Sequence, residues 1–180
     1  MGELPLHEAV KENDVAKVKK ILANGTCTTN TTTVGVDINA EDDNGITALI
    51  EACISGNAEI VQILLEGGCV AQPAAGFKHS PLRGATVCGH SHLIPILLEN
   101  GADPNALSDG NRTPLMGACF LRNGVPPECS ALCVKELLSD ERTDPTLVNT
   151  FGESALDLAK ARGYKDSVVM IEEALARRNE

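Results

Sequence analysis

Apolar residues recur at helical spacing in short stretches along the chain. In NAEIVQILLEGG, at 57–68, they include Ile60, Ile63 and Leu64, and HSHLIPILLENG, at 90–101, repeats the arrangement. Residues three and four apart share one face of a helix, so this spacing predicts amphipathic helices with a buried side. Both stretches end in glycine, which commonly terminates a helix. The pattern therefore predicts short, separate helices.

A six-residue phrase begins before each of these helices and occurs five times. Its copies are LPLHEA, TALIEA, SPLRGA, TPLMGA and SALDLA, which start at residues 4, 47, 80, 113 and 154. A Thr or Ser hydroxyl at the first position caps free backbone N–H groups, and proline is tolerated in the first helical turn. Each phrase therefore predicts the start of another helix, with Leu and Ala on its buried face.

The spacing of the phrases reveals an internal repeat. The steps between successive copies are 43, 33, 33 and 41 residues, so the outer steps equal the central ones plus insertions. The phrase, the period near 33 and the closing L-L-x-x-G-A-D-x-N resemble the ankyrin repeat family over essentially the whole chain. The resemblance implies an all-α solenoid of stacked helix-turn-helix repeats with projecting hairpin fingers.

The resemblance places one ankyrin-repeat domain at residues 1–180. Its five repeats are expected at about 3–35, 36–77, 78–110, 111–151 and 152–180, with insertions near 26–35 and 122–130. Lys17 and Lys20 in the first repeat, and Ser167 and Glu172 in the last, occupy positions that are Ile or Leu in the second repeat. Because the ends of a solenoid face water, these polar residues predict terminal caps and a complete array.

Composition narrows the classes of function. The net charge of −10 and the 2% aromatic content argue against nucleic-acid binding, which depends on Lys, Arg and stacking rings. There is no apolar run of about 20 residues and no secretory signal pattern, which argues against a membrane protein. We expect a monomeric cytoplasmic or nuclear protein that needs no cofactor.

Cysteine and histidine side chains are the candidates for a redox or metal site. Seven irregularly spaced cysteines fit reduced, buried side chains better than a disulfide framework. Cys129 and Cys133, one helical turn apart, leave a redox or metal sensor as an alternative to simple packing. Cys88, His90 and His92 alternate across a helix start, where side chains diverge, so we predict no metal site there. No catalytic arrangement stands out, and no enzyme is predicted.

The concave surface, lined by first helices and finger tips, is the predicted binding site for a protein or peptide. Two residues after each central phrase lie Ile54, Val87 and Phe120, which form an apolar stripe. Three residues before each of these lie Glu51, Gly84 and Gly117, and we expect the two glycines to leave notches for a partner's apolar anchor. The alternative is that the stripe packs within the protein.

Acidic residues surround this stripe in the sequence. They are Glu41, Asp42 and Asp43 on one finger, Asp109 on another, and Glu51 below them. Complementary charge therefore favours a basic partner with an apolar anchor. Solvated loops that serve only solubility are the alternative.

One modification site is implied by the resemblance alone. Ankyrin repeats with a leucine eight residues before an asparagine, as in Leu97 and Asn105, can be substrates of an asparaginyl hydroxylase. Pro104 stands where such substrates usually carry an aliphatic residue. On the spacing of Leu97 and Asn105, the resemblance makes Asn105 a candidate for hydroxylation.

Overall fold

The computed structural model describes residues 4–24, 37–71 and 79–178. These ranges contain ten α-helices and no extended strand. In chain order the helices are α1 (Pro5–Lys11), α2 (Val15–Asn24), α3 (Ala48–Ser55), α4 (Ala58–Glu66), α5 (Pro81–Val87), α6 (Leu93–Glu99), α7 (Pro114–Ala118), α8 (Glu128–Leu138), α9 (Ala155–Arg162) and α10 (Lys165–Arg178). None of them is long and apolar enough to cross a bilayer. The predicted all-α class is confirmed.

The repeated phrase begins a helix in the predicted way. The side-chain oxygens of Thr47, Ser80, Thr113 and Ser154 each accept a hydrogen bond from the amide three residues later, at 3.2 to 3.3 Å. In the last copy Asp157 completes a capping box with Ser154. Prolines follow the caps of α5 and α7 in the first turn. The hydroxyl residues therefore set where the first helices start.

The helices pack as five successive pairs, and the pairs stack side by side. The first helices α1, α3, α5 and α7 contact one another in order, while α2, α4, α6, α8 and α10 form a second layer. Leu49, Leu82 and Leu115 of the phrase are each 1% exposed between these layers. Ile60 and Leu97 of the second helices are completely buried. The apolar face of each pair is thus covered by its neighbours.

The packing between the fourth and fifth helix pairs differs from that between the earlier pairs. α8 and α10 pack closely, whereas α7 and α9 make few contacts. Helix α7 has only five residues and is followed by the loop 119–127, which contains most of the second predicted insertion. The amide of Arg122 in this loop donates to the carbonyl of Val87 at 2.8 Å, which ties the loop to α5. An open space therefore remains between α7 and α9. The other insertion, near 26–35, lies outside the described residues.

Three hairpin fingers lie within the described ranges. Their bases are isolated antiparallel bridges that pair Glu41 with Thr47, Ser108 with Arg112, and Val148 with Ser154. In the first finger, Asp42 Oδ1 accepts amide hydrogen bonds from Asn44 and Ile46, both at 2.9 Å. In the last, Asn149 Oδ1 accepts them from Phe151 and Glu153. One carboxylate or amide oxygen thus organises each of these two turns.

Three histidines tie neighbouring repeats together. Nε2 of His7 lies 2.9 Å from the carbonyl oxygen of Ile46. His90 and His92 approach the carbonyls of Ile54 and Gly56 at 3.0 and 3.1 Å. These hydrogen bonds link each histidine to a backbone segment of the adjacent repeat. The three side chains therefore have a structural role in the stack.

One predicted cap residue has a different role. Ser167 is 1% exposed, and its Oγ lies 2.8 Å from Oγ of Ser130, between α10 and α8. It therefore faces the preceding repeat, and its prediction as an outward polar residue is wrong. Glu172 is exposed and pairs with Lys160, and Lys20 is exposed. These two residues occupy solvent-facing positions as expected.

Glycine permits the close approach of α5 and α7. A Cβ at Gly117 would lie 2.7 Å from Thr86 Oγ1 and 3.2 Å from Val87 Cγ2. Thr86 is fully buried and donates to the Arg83 carbonyl, so it has little freedom to move away. At Gly84 the nearest atom to an added Cβ is Ile54 Cγ1 at 3.4 Å, an ordinary contact. The two glycines thus differ in the space around them.

This difference predicts opposite effects of the same substitution. Gly117→Ala should lower the free energy of unfolding by about 1–3 kcal/mol through overpacking. Gly84→Ala should leave it unchanged or raise it by roughly 0.5–1 kcal/mol, because alanine favours the helix. Urea denaturation followed by circular dichroism measures both. Equal losses in the two variants would contradict the packing described here.

Candidate functional site

The predicted apolar stripe lines two cavities along the first helices. Ile54, Gly84 and Val87 line a cavity of about 210 Å³ between α3 and α5. Val87 also lines a larger one of about 530 Å³, together with Gly117 and Phe120. The structure therefore brings these predicted residues together on one face. We call the surface formed by the two cavities the groove.

The glycines do not form the open notches expected from the sequence. Ile54 packs against Gly84, and Thr86 and Val87 pack against Gly117. The space at Gly117 is thus filled by α5, and the space at Gly84 has room for little more than a Cβ beside α3. Phe120 is 48% exposed, and it offers more free apolar surface than the half-buried Ile54 and Val87.

Four arginines line the larger cavity. Arg83 lies on α5, and Arg112 lies at the base of the finger that is closed by its bridge to Ser108. Arg122 lies in the loop after α7, and Arg162 lies at the end of α9. Among the residues that line this cavity, Glu153 is the only acidic one. We call it the arginine cavity. Sequence reasoning missed these residues because they stand at different positions of their repeats.

Arg83 is the most enclosed of the four. Its Nε is buried and has no hydrogen-bond partner among the described residues. Burial lowers the pKa of the guanidinium, and nearby Arg112 lowers it further, against a smaller opposing effect of Asp109. A buried donor without a partner lowers the stability of the folded state.

Aromatic side chains stand beside the arginines. The Arg162 guanidinium carbon lies over the Phe120 ring, 3.8 Å from its centroid, in a cation–π contact. Phe151 also lines the cavity, at the tip of the last finger, and is 74% exposed. The chain has only three phenylalanines, so two of them lie at this one site. The arginine cavity thus combines cationic and apolar surface.

Residues 6–108 match the family model for ankyrin repeats, in three copies. The match covers more than half of the chain. The chain belongs to the ankyrin repeat family. No curated protein sequence matches it significantly. Ankyrin repeats generally mediate protein–protein interaction and are typically non-catalytic.

The predicted acidic residues are not among those that line the groove, although Asp109 lies close enough to raise the pKa of Arg83. None of Glu41, Asp42, Asp43, Glu51 and Asp109 lines either cavity. Burial raises the pKa of Asp42, but the amide hydrogen bonds from Ile46 and Asn44 outweigh it, so the pKa lies below its ordinary value. Asp42 is thus part of the finger turn. A contact of these acids with a basic partner stays a prediction, whereas the groove itself carries mainly positive charge.

Asn105 joins the segments that precede two successive fingers. Its Nδ2 donates to the Arg142 carbonyl, and its Oδ1 accepts from the Asp144 amide, both at 2.7 Å. The side-chain amide is therefore engaged on both sides by the following repeat. Hydroxylation of Asn105 stays a prediction.

The two cysteines of the sensor alternative differ in burial, since Cys129 is half-buried and Cys133 is buried. Burial raises the pKa of Cys133 to about 12, and Cys133 is fully buried. Cys119, beside it, is also fully buried with a pKa of about 12. A thiol reacts as its thiolate, so these two groups are poorly reactive. Within the described residues no group of three or more His, Cys, Asp or Glu side chains is placed to hold a metal ion.

Burial predicts slow alkylation of these two thiols in the folded protein. At mildly alkaline pH, iodoacetamide should leave Cys119 and Cys133 unmodified, because their thiolates form only near pH 12. Peptide mass spectrometry reports the modified positions. In guanidinium chloride all seven cysteines should react. Rapid modification of Cys133 in the native state would restore the sensor hypothesis.

Proposed function

We propose that the protein is a non-catalytic adaptor that binds a protein or peptide on the concave surface of its first helices and finger tips. The observation that carries the proposal is the groove, in which Ile54, Val87 and Phe120 line two neighbouring cavities. The larger cavity, at about 530 Å³, is comparable to pockets that enclose whole small ligands, about 300–1,000 Å³. Side chains of a bound peptide therefore have room to enter it.

The exposed residues of the groove are of the types that dominate binding energy. Aromatic and arginine side chains are enriched among interface hot spots. Phe120 and Phe151 are 48% and 74% exposed, although phenylalanine is among the residue types most often buried. A partner that covers both rings would gain the free energy of removing them from water.

The proposal extends to the whole chain. The fourth and fifth helix pairs begin with the same capped phrase and pack against their neighbours, which supports one ankyrin array over residues 1–180. We propose a monomer that acts in the cytoplasm or nucleus. The irregular, odd-numbered cysteines support such a reducing compartment.

Selection from a random dodecapeptide phage library tests the groove. Peptides enriched on the wild-type protein should lose about tenfold or more in affinity for Phe120→Ala/Phe151→Ala, since each ring is an exposed anchor. Fluorescence polarisation with the synthetic peptides measures the loss.

The matched control is Leu132→Ala/Val169→Ala. These residues are 52% and 53% exposed on α8 and α10, in the second layer of helices. The control should bind the peptides as the wild type does, and thermal melting should confirm that both variants are folded. Equal affinities of the two double variants would show that the peptides bind elsewhere, and the proposed surface would then be wrong.

A further inference from the structure

We infer that the arginine cavity recognises an acidic peptide segment, whose carboxylates bind the arginines while a neighbouring apolar side chain contacts Phe120 and Phe151. This inference rests on the proposed function and specifies the partner's chemistry. Its basis is the complementarity between the arginines of this cavity and the carboxylates of an acidic peptide. Arg83, Arg112 and Arg162 surround the cavity from α5, a finger and α9.

The cavity arginines differ from the other arginines of the chain in their partners. The remaining three, Arg142, Arg177 and Arg178, each form an ion pair with a carboxylate. Within the described ranges none of the four cavity arginines forms an ion pair. Their charges are thus available to a ligand. In a chain of net charge −10, this local excess of cations is unusual.

The acidic lining residue does not neutralise this cluster. Glu153 accepts a hydrogen bond from Asn149 Nδ2 at 2.9 Å, and its amide binds Asn149 Oδ1 within the same finger. The carboxylate is therefore engaged in finger structure. Four guanidinium groups outnumber the Glu153 carboxylate in the cavity and the nearby Asp109 that acts on Arg83, so an incoming anion would relieve their mutual repulsion.

Arginine geometry favours carboxylate ligands. A guanidinium presents parallel N–H donors that match the two oxygens of a carboxylate. Arg112 and Arg162 are exposed, so their donors can reach such a ligand, and the Phe120 ring contacts the Arg162 guanidinium. Preorganised donors lose less side-chain entropy when the ligand binds.

The net charge of the whole protein argues for a short acidic segment over a polyanion. At −10 the chain repels nucleic acid or an anionic membrane at long range. A peptide with a few carboxylates is repelled less, and it also carries the apolar side chain that the two phenylalanine rings can cover. Inorganic phosphate would leave these rings exposed.

The composition of library-selected peptides tests the inference. The same dodecapeptide phage library is selected in parallel on wild type, on Arg112→Gln/Arg162→Gln and on Arg142→Gln/Arg177→Gln. The two double variants lose the same charge, but only the first loses it from the cavity. Wild type and the second variant should enrich Asp and Glu beside Leu or Phe at least twofold over the unselected library. The first variant should lose this enrichment.

Synthetic peptides then separate the sources of negative charge. Replacing the Asp and Glu of the strongest peptide by Asn and Gln should weaken binding about tenfold for each charged hydrogen bond lost. Tighter binding of a phosphoserine version would reassign the cavity to phosphopeptides and overturn the carboxylate assignment. Selection of basic or neutral peptides, or equal acidic enrichment on both double variants, would also overturn it.

These outcomes are distinct from failure of the proposed function. Neutral peptides that still require Phe120 and Phe151 would leave the groove as the binding surface and remove only its preference for acids. A library that yields no peptide sensitive to the phenylalanine pair would contradict both the proposed function and the inference.

Discussion

The stacking of neighbouring repeats is the constraint on which the rest of the molecule depends. A pair of short helices cannot bury its own apolar face, so each pair is stable only against the next. Leu49, Leu82 and Leu115 are buried in this way, and the missing side chain at Gly117 lets α5 and α7 approach closely. Because stacking uses the flanks of each pair, the outward face of the first helices and the fingers remains free for a partner.

The candidate site arises where the stacking changes. At the last step the contact passes mainly through α8 and α10, and α7 stays apart from α9. The loop after α7 and the end of α9 then bring Arg122 and Arg162 toward Arg83. The same departure from regular repetition thus produces both the space and the charge of the arginine cavity. An irregular step in a repeat array is in this case the source of a specific surface.

The helices and their starts were predictable because their signals are local. A hydroxyl residue before proline or alanine, followed by leucine and alanine, specifies a capped helix whatever the neighbours are. The apolar stripe was found because Ile54, Val87 and Phe120 share one position in successive repeats. Asp42 looked like free surface charge, since its hydrogen bonds to the finger backbone cannot be read from composition.

The arginine cavity escaped sequence reasoning for a related physical reason. Arg83 lies within its phrase, Arg112 directly before one, and Arg122 and Arg162 after theirs. They occupy four different positions relative to the repeated phrase, so only the packing of four different elements shows that they converge. The prediction that Ser167 faces solvent is wrong for the same reason, because the sequence alone does not show how closely α8 and α10 pack.

Amide chemical-shift mapping tests most directly the claim that the face left free by stacking is the binding surface. A peptide selected on the wild-type protein is titrated into isotopically labelled protein, and the shifted amide signals are assigned. We expect the largest shifts near Val87, Phe120 and Phe151, with little change at Leu132 and Val169 on the second layer of helices. Shifts concentrated on α8 and α10, with none at the first helices and fingers, would contradict the account.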